Sequence, residues 1–135
     1  EMKPSSIITM KKAVVIGAGP AGTATAYFLR RNGMEVTVLE KRDRPYGIVE
    51  YVIPEFRISH EMIKRDYELA VRAGVKFIFN VNESYRIDEL KKEYDFIVLA
   101  TGAWKEAADP MKEGGENLRD ALEFLEDAKS NSLNI

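Results

Sequence analysis

The chain has 135 residues, 45% of them hydrophobic and 31% charged, which is the composition of one ordinary globular domain. Its 20 basic and 22 acidic side chains nearly cancel, so we expect no nucleic-acid partner. It contains no cysteine, which excludes disulfides, thiolate metal sites and iron–sulfur clusters within this segment. With a single histidine, His60, we expect neither a metal site nor a catalytic histidine pair.

The first ten residues differ in character from the rest of the chain. A sequence that begins with Glu1 and Met2 does not have a natural start, and we interpret it as a piece of a longer protein. Residues 1–10 lack the apolar core of a secretion signal and are predicted to form a tail or linker. No apolar run approaches the ~20 residues of a membrane span. We therefore expect residues 11–135 to form one cytoplasmic domain of a larger chain, without a membrane partner.

The first third of this domain predicts a strand, a helix and a second strand. Residues 12–17 are β-branched and apolar and end at Gly17, which is typical of a strand buried on both faces. An alanine- and leucine-rich helix is predicted from Pro20 to Asn32, since proline suits a first helical turn and Gly33 suits the residue past the end. Residues 35–40 form the second predicted strand.

The remaining elements continue the alternation of strands and helices. We predict a loop at 41–57, a helix from the N-cap Ser59 to Ala73, strands at 75–79 and 94–100, a short helix at 88–93, and a last helix capped by Asn117. Leu118, Leu122 and Leu125 form the apolar stripe of that last helix. The alternation predicts an α/β fold, a Rossmann-like parallel sheet with helices on both faces, and the unit corresponds to one mononucleotide-binding half of such a fold.

The strongest functional signal is the turn between the first strand and the first helix, Gly17-Ala-Gly-Pro-Ala-Gly22. In this pattern Gly17 permits a tight turn, and Gly19 has no side chain to keep a pyrophosphate away from the backbone. Gly22 lets the helix lie against the strand, and the start of the helix offers N–H groups and a partial positive charge to phosphates. A dinucleotide site is predicted here, and a turn without a ligand is the alternative.

Glu40 ends the second strand, 18 residues beyond Gly22 and close to the ~20 expected for an acid that binds a ribose hydroxyl. A carboxylate accepts a hydrogen bond from a 2′-hydroxyl but repels a 2′-phosphate, which favours FAD or NAD over NADP. Lys41, Arg42 and Arg44 follow, and they either neutralise phosphate or form a solvated basic turn.

Several segments together resemble one protein family. They are the glycine turn, Leu39-Glu-Lys41, Tyr46-Gly-Ile48 and Ile53-Pro-Glu-Phe-Arg-Ile58. They are similar to the FAD-binding part of the pyridine nucleotide-disulfide-like oxidoreductases of the glutamate synthase small-subunit and dihydropyrimidine dehydrogenase type. Leu99-Ala-Thr-Gly102 is similar to the strand end of flavoproteins with two dinucleotide domains, and residues 113–126 resemble most the selenate reductase-like branch. The resemblance covers residues 11–128.

The resemblance implies which positions contact FAD. These are Gly17, Gly19, Pro20, Ala21, Gly22, Glu40, Lys41, Gly47, Ile48, Arg57, Glu83, Thr101 and Gly102. Arg57 suits a pyrophosphate or ribityl contact because its forked guanidinium is permanently charged, and a surface arginine is the alternative. The family has a glycine where this chain has Tyr46, and we expect the tyrosine to crowd the flavin side of the loop. No catalytic residue is expected in this segment.

Two further residues receive structural predictions. His60 is predicted to lie exposed at the start of a helix. Trp104, the single tryptophan, is predicted to cover an apolar edge, with stacking on the flavin or contact with another domain as the alternatives.

The resemblance implies a flavoprotein oxidoreductase that transfers electrons. In such proteins NAD(P)H binds a second domain and reduces FAD, and the electrons move on to iron–sulfur clusters elsewhere in the parent protein. The partners of this segment would then be the dinucleotide and the other domains, and the isolated segment is expected to be inactive. Two alternatives stay open: a stand-alone module that binds NAD or another adenine nucleotide without redox chemistry, and a structural domain that holds no ligand.

Overall fold

The structure is a computed structural model, and it describes residues 6, 9–82, 86–104, 115 and 118–131. The strands are β1 (Lys12–Ile16), β2 (Glu35–Leu39), β3 (Lys76–Ile78) and β4 (Phe96–Leu99). The helices are α1 (Pro20–Arg31), α2 (Ile48–Tyr51), α3 (His60–Arg72), α4 (Ile87–Glu93) and α5 (Ala121–Lys129). The predicted α/β class is confirmed.

The strands form one parallel sheet in the order β3-β2-β1-β4. Helices α1 and α3 contact each other, as expected for two crossovers that proceed in the same direction across the sheet. After β3 the chain returns to the far side of β1, and the right-handed crossover rule then assigns α4 to the opposite face. In the register, Ile16 lies opposite both Leu39 and Leu99, so three strands end at the same level.

The core lies around the two central strands. Val14, Val15, Val36 and Val38 are at most 1% exposed, because β1 and β2 have a strand on each side and helices packed against them. Ala26 of α1 belongs to one cluster with Val15, Val36 and Val38, since a small side chain allows the helix to approach the sheet. Each buried valine contributes roughly 1.5–3 kcal/mol, so the turn that follows β1 stands on a rigid base.

The helix ends follow the sequence signals closely. Pro20 is the first residue of α1, and Gly33, just past its C-cap, has a φ of 86°. The hydroxyl of Ser59 accepts the N–H of Met62 at 3.4 Å, which caps α3 as predicted. Gly74 follows α3 with a φ of 97°, a left-handed conformation that glycine adopts without strain.

Two predictions about helices were wrong. The segment at 41–57 is not entirely loop, because it contains α2, in which Tyr51 N–H donates to the carbonyl of Gly47 at 2.9 Å. The last helix begins at Ala121, and its cap is Asp120, whose carboxylate accepts the N–H of Glu123 at 2.9 Å. Asn117, the predicted cap, lies outside the described residues.

The described end of the predicted tail contacts the domain. Both the N–H and the hydroxyl of Thr9 donate to the carbonyl of Gly33 at 3.2 Å. Among the described residues, no helix is long and apolar enough to cross a membrane.

Candidate functional site

A cavity of about 400 Å³ opens at the carboxyl end of the sheet, where β1, β2 and β4 end level. It lies where the chain passes to opposite sides of β1, which is the usual position of ligand sites in open α/β sheets. Its lining consists of Ile16, Gly17, Gly19, Pro20, Leu39, Glu40, Lys41, Arg42, Gly47, Ile48, Ala100, Thr101, Gly102 and Trp104. The fold therefore collects residues from three strand ends and from the segment after β2 around one concave space.

Two glycines of the turn are required by packing. Gly17 has a φ of 103°, and a β-carbon on it would lie 2.3 Å from the carbonyl oxygen of Ala100 at the end of β4. A β-carbon on Gly22 would lie 1.9 Å from the carbonyl oxygen of Gly17. Both distances are far below van der Waals contact, so these glycines let β1, α1 and β4 meet at one point.

Gly19 has a different role, because a β-carbon there would meet no atom within 4 Å. Gly19 and Pro20 line the cavity, so the first turn of α1 faces the open space. The N–H groups of Ala21 and Gly22 have no partner within the helix, as is general for a first helical turn. This end of α1 therefore presents donors and a partial positive charge to an anion in the cavity.

Glu40 is held in the cavity wall by the backbone. Its side chain is buried, and Oε2 accepts the N–H of Ala18 in the glycine turn at 2.7 Å. Oε1 accepts the N–H of Arg42 at 2.9 Å. A carboxylate has about four acceptor positions, so these two bonds fix its place and leave capacity for ligand hydroxyls. The link to the glycine turn was not anticipated from the sequence.

Two of the basic residues after Glu40, Arg42 and Arg44, form ion pairs. The Arg42 guanidinium binds the carboxylate of Glu126, and this hydrogen bond raises the pKa of Arg42 above its ordinary value. It also lies 4.3 Å from the ring centroid of Tyr51 and 4.2 Å from that of Trp104. Arg44 donates to the buried Glu50 at 2.6 Å. Arg42 and Arg44 are therefore not simply solvated, and carboxylates of this chain already occupy the charges that could have neutralised a phosphate.

The cavity brings together most of the predicted contacts. They are Gly17, Gly19, Pro20, Glu40, Lys41, Gly47, Ile48, Thr101 and Gly102. Ala21 and Gly22, in the first turn of α1, are not among the lining residues. Arg57 does not line the cavity; it is exposed, with its guanidinium 5.7 Å from the ring centroid of Phe56. Glu83 lies outside the described residues.

Tyr46 does not line the cavity, so its ring does not crowd the space as expected. Its N–H donates to the carbonyl of Ala18 at 2.7 Å, and burial raises the pKa of its hydroxyl to about 12. Its φ of 72° lies in the left-handed region, which suits the glycine that the resemblance implies at this position. The tyrosine thus keeps the backbone path of a glycine and directs its ring elsewhere.

Arg42 and Trp104 line the cavity but were not among the predicted contacts. A β-carbon on Gly47 would lie 3.8 Å from the Trp104 ring, and one on Gly102 would lie 3.6 Å from it. The Trp104 ring therefore forms part of the cavity wall beside Gly47 and Gly102, and its covering of an apolar edge stays a prediction. The signal that could have found it is its position two residues after the strand-terminal Thr101-Gly102.

The parallel sheet, the glycine turn at the end of β1 and the acid at the end of β2 define the fold class of the dinucleotide-binding α/β domains. Residues 11–134 match the sequence profile of the pyridine nucleotide-disulphide oxidoreductase family. The chain belongs to this family.

Curated relatives support the same assignment. The chain is 36% identical over 124 residues to the "Putative oxidoreductase YgfK" of Escherichia coli K12, covering 91% of this chain and 12% of that protein. It is 36% identical over 121 residues to the glutamate synthase [NADPH] small chain of Bacillus subtilis 168, covering 87% of this chain and 24% of that protein. The chain thus spans less than a quarter of the length of these relatives.

A solved structure shows the same fold. The 2-naphthoyl-CoA reductase complex superimposes with a TM-score of 0.69 at 28% identity, covering 95% of this chain and 19% of that one. The expected resemblance to the glutamate synthase small subunit and to the family of dinucleotide oxidoreductases is confirmed.

Proposed function

We propose that this chain is the FAD-binding segment of an NAD(P)H-dependent flavoprotein oxidoreductase. The observation that carries the proposal is the open side of Gly19, which faces the same cavity as the buried carboxylate of Glu40. A side chain at Gly19 would project into free space, and the packing in the described structure gives no reason for a glycine there. Close approach of a ligand to the backbone does give a reason.

The residues present fit an adenosine pyrophosphate. The first turn of α1 would hold the pyrophosphate through the N–H groups of Ala21 and Gly22, with Lys41 adding positive charge. Glu40 would accept the ribose hydroxyls, because the backbone holds its carboxylate in place before a ligand arrives. Ile16 and Leu39 supply apolar walls that exclude water from these polar contacts.

FAD, when bound, supplies the hydride-accepting and electron-transferring chemistry that side chains lack. The residues of this chain bind and orient the cofactor, and we assign none of them as a catalytic acid or base. The ring of Trp104 and the glycines Gly47 and Gly102 would set the shape of the wall beyond the pyrophosphate. Thr101 and Gly102 would allow the ligand to approach the end of β4 closely.

The finer assignment follows the relatives. We propose that the parent protein is of the glutamate synthase small-subunit-like or selenate reductase-like type, and that it works in the cytoplasm. NAD(P)H would bind a second domain, and electrons would leave FAD towards iron–sulfur centres in further domains. The chain spans 12% and 24% of the two relatives described above, so we expect the isolated segment to be inactive.

Titration of the 135-residue chain with FAD, ADP and NAD tests the proposal. Trp104 is the single tryptophan and lines the cavity, so its fluorescence should report binding, and calorimetry should give the affinity. We expect Glu40→Ala to weaken ADP binding roughly ten- to hundredfold, since the ribose loses a charge-assisted acceptor. Glu35→Ala, at the exposed opposite end of β2, is the matched control and should bind normally.

Gly19→Val provides the second variant. A branched side chain would fill the space proposed for the pyrophosphate, so binding should be lost while the melting temperature stays close to that of the parent chain. If this variant binds the nucleotides normally, the glycine turn is a turn without a ligand-binding role. A colourless chain that binds NAD tightly and FAD not at all would favour the alternative of a nucleotide-binding module without redox chemistry.

A further inference from the structure

We propose that Glu126 of α5 determines the nucleotide specificity of the cavity by holding Arg42 away from the ligand. With Arg42 held, the site accepts an adenosine with a free 2′-hydroxyl and rejects one with a 2′-phosphate. This inference rests on the proposed function, because it assumes that an adenosine nucleotide occupies the cavity.

Arg42 stands where a 2′-phosphate would need a cation. It comes two residues after Glu40, and its N–H donates to the Glu40 carboxylate at 2.9 Å, so its backbone is fixed beside the proposed ribose acceptor. Arg42 also lines the cavity itself. In Rossmann-type sites an arginine near the ribose is the residue type that accommodates a 2′-phosphate, because its planar fork matches phosphate geometry. Position and chemistry alone would therefore allow this chain to bind a 2′-phosphorylated nucleotide.

The contacts of Arg42 argue against that use. Both of its terminal nitrogens bind the two carboxylate oxygens of Glu126, the second pair at 3.3 Å. Its guanidinium also lies against the rings of Tyr51 and Trp104. The Arg42 side chain is 26% exposed and that of Glu126 is 33% exposed, so solvent screens the pair only in part. A phosphate would have to displace Glu126 to gain the charge of Arg42.

Glu126 is held in place independently of Arg42. It belongs to α5, and Lys129 of the same helix donates to backbone carbonyls of the segment around α2, including that of Ile53 at 2.7 Å. Further carbonyl partners of Lys129 are Val49 and Glu50. Because this second anchor docks α5, the Glu126 carboxylate stays beside Arg42 and its position does not depend on the ion pair alone. Glu126 is thus a positioning residue that acts on the ligand through Arg42.

The inference is tested with two probes, ADP-ribose and ADP-ribose 2′-phosphate, which differ only in the 2′-phosphate. The 135-residue chain and its variants are titrated with each, and the ratio of the two affinities is the readout. The parent chain should prefer ADP-ribose. In Glu126→Gln the neutral side chain releases the charge of Arg42, and we expect the preference to fall by about tenfold or more, because a charge-assisted contact with the 2′-phosphate becomes available.

Asp127→Asn is the matched control, since Asp127 is the next residue of α5 and binds Arg119 instead. It should leave the ratio unchanged. The double variant Glu126→Gln with Arg42→Gln should lose the gain, which a merely structural role of Glu126 would not produce. Glu126→Ala serves as a second variant in case the glutamine still restrains Arg42 through hydrogen bonds, and it should show the same fall in preference.

The outcomes separate the two proposals. If the parent chain binds ADP-ribose and neither Glu126 variant changes the ratio, the role of Glu126 is overturned while the proposed function stands. If the parent chain binds neither probe, the proposed function fails, and the specificity inference fails with it. A gain for the 2′-phosphate that persists in the double variant would also overturn the role of Arg42.

Discussion

The glycine turn at residues 17–22 and the segment at residues 41–58 line the same cavity, but different forces hold them. The turn is held by backbone sterics: the carbonyl of Ala100 and the carbonyl of Gly17 leave no room for a side chain at two of its positions. The atoms that impose this limit lie within the turn itself and at the adjoining end of β4, while hydrogen bonds join the turn to Glu40 and Tyr46. The conformation of the turn therefore depends largely on which positions are glycine.

In the segment at 41–58, charged side chains supply the contacts that reach furthest along the chain. Lys129 binds carbonyls of this segment from 76 residues further along the chain, and Glu126 binds Arg42 from 84 residues away. Within the segment Glu50 is 3% exposed and binds Arg44, and its other oxygen lies 3.3 Å from Nδ1 of His60. His60 itself is exposed as predicted, with a side-chain exposure of 58%. Polar contacts of this kind are directional but individually modest, so single substitutions should alter this wall without unfolding the sheet.

The largest expected loss of folding stability comes from a substitution in the glycine turn. Gly22→Ala forces a β-carbon against the Gly17 carbonyl, and we expect the free energy of unfolding to fall by at least about 3 kcal/mol. Gly19→Ala is the matched control in the same turn, and it should change stability by less than about 1 kcal/mol because the added carbon meets no atom. Urea denaturation of both variants gives the two values. Equal losses would mean that the turn has more freedom than its packing indicates.

An intermediate effect is expected where α5 is attached. Lys129→Met keeps the length of the side chain but removes the cation from the carbonyls at the end of α2, and we expect a loss of about 1–2 kcal/mol. Hydrogen exchange should quicken at the amides of Val52 and Ile53, which bond to Ile48, while the amides of β1 stay protected. Lys91→Met, on the exposed face of α4, is the control and should change neither quantity. Exchange that quickens throughout the sheet would show that α5 supports the whole domain.

The same contrast explains how far the sequence predicts the structure. The strands of the sheet and the cap at Ser59 follow from local patterns, and the spacing of Gly17 and Glu40 is enough to predict that both lie at the same site. Arg42 and Trp104 were missed because their positions depend on each other and on Glu126, which no local pattern links to them.

The short helix α2 was missed for a related reason. It has four residues, Gly47 provides no side-chain cap, and a lysine far along the chain binds the carbonyls at its end. Tyr46 adds a backbone exception, since a tyrosine at a φ of 72° contradicts the usual preference for glycine there. Residues whose conformation is imposed by distant partners are thus the ones that sequence patterns leave open.

The smallest expected change in stability is at the amino end of the sheet. There the carboxylate of Asp95 joins the starts of β1 and β4, and this contact can be compared with the charged contacts of α5. Asp95 accepts the Lys11 ammonium at 2.7 Å and the N–H of Lys12 at 2.8 Å. The hydrogen bond from Lys11 is the main cause of a lowered pKa of Asp95 in the folded protein. Because the folded pKa lies below the unfolded one, the contribution of this carboxylate is complete above the unfolded pKa of 3.8 and is lost as the pH falls through the folded pKa.

Asp95→Asn should therefore lower the melting temperature slightly at about pH 7, and the difference from the parent chain should shrink as the pH falls below 3.8. Asp95 is exposed, so water and salt screen its charge, and raising the ionic strength should also reduce the difference. Glu93→Gln, an exposed acid at the end of α4, is the control and should show little change at either pH. A difference that is as large at low pH as at neutral pH would show that the bond geometry, and not the charge, joins the two strands. In that case this end of the sheet would resemble the glycine turn, whose conformation is fixed by steric fit. It would differ from the segment at 41–58, where ion pairs of charged side chains supply the long-range contacts.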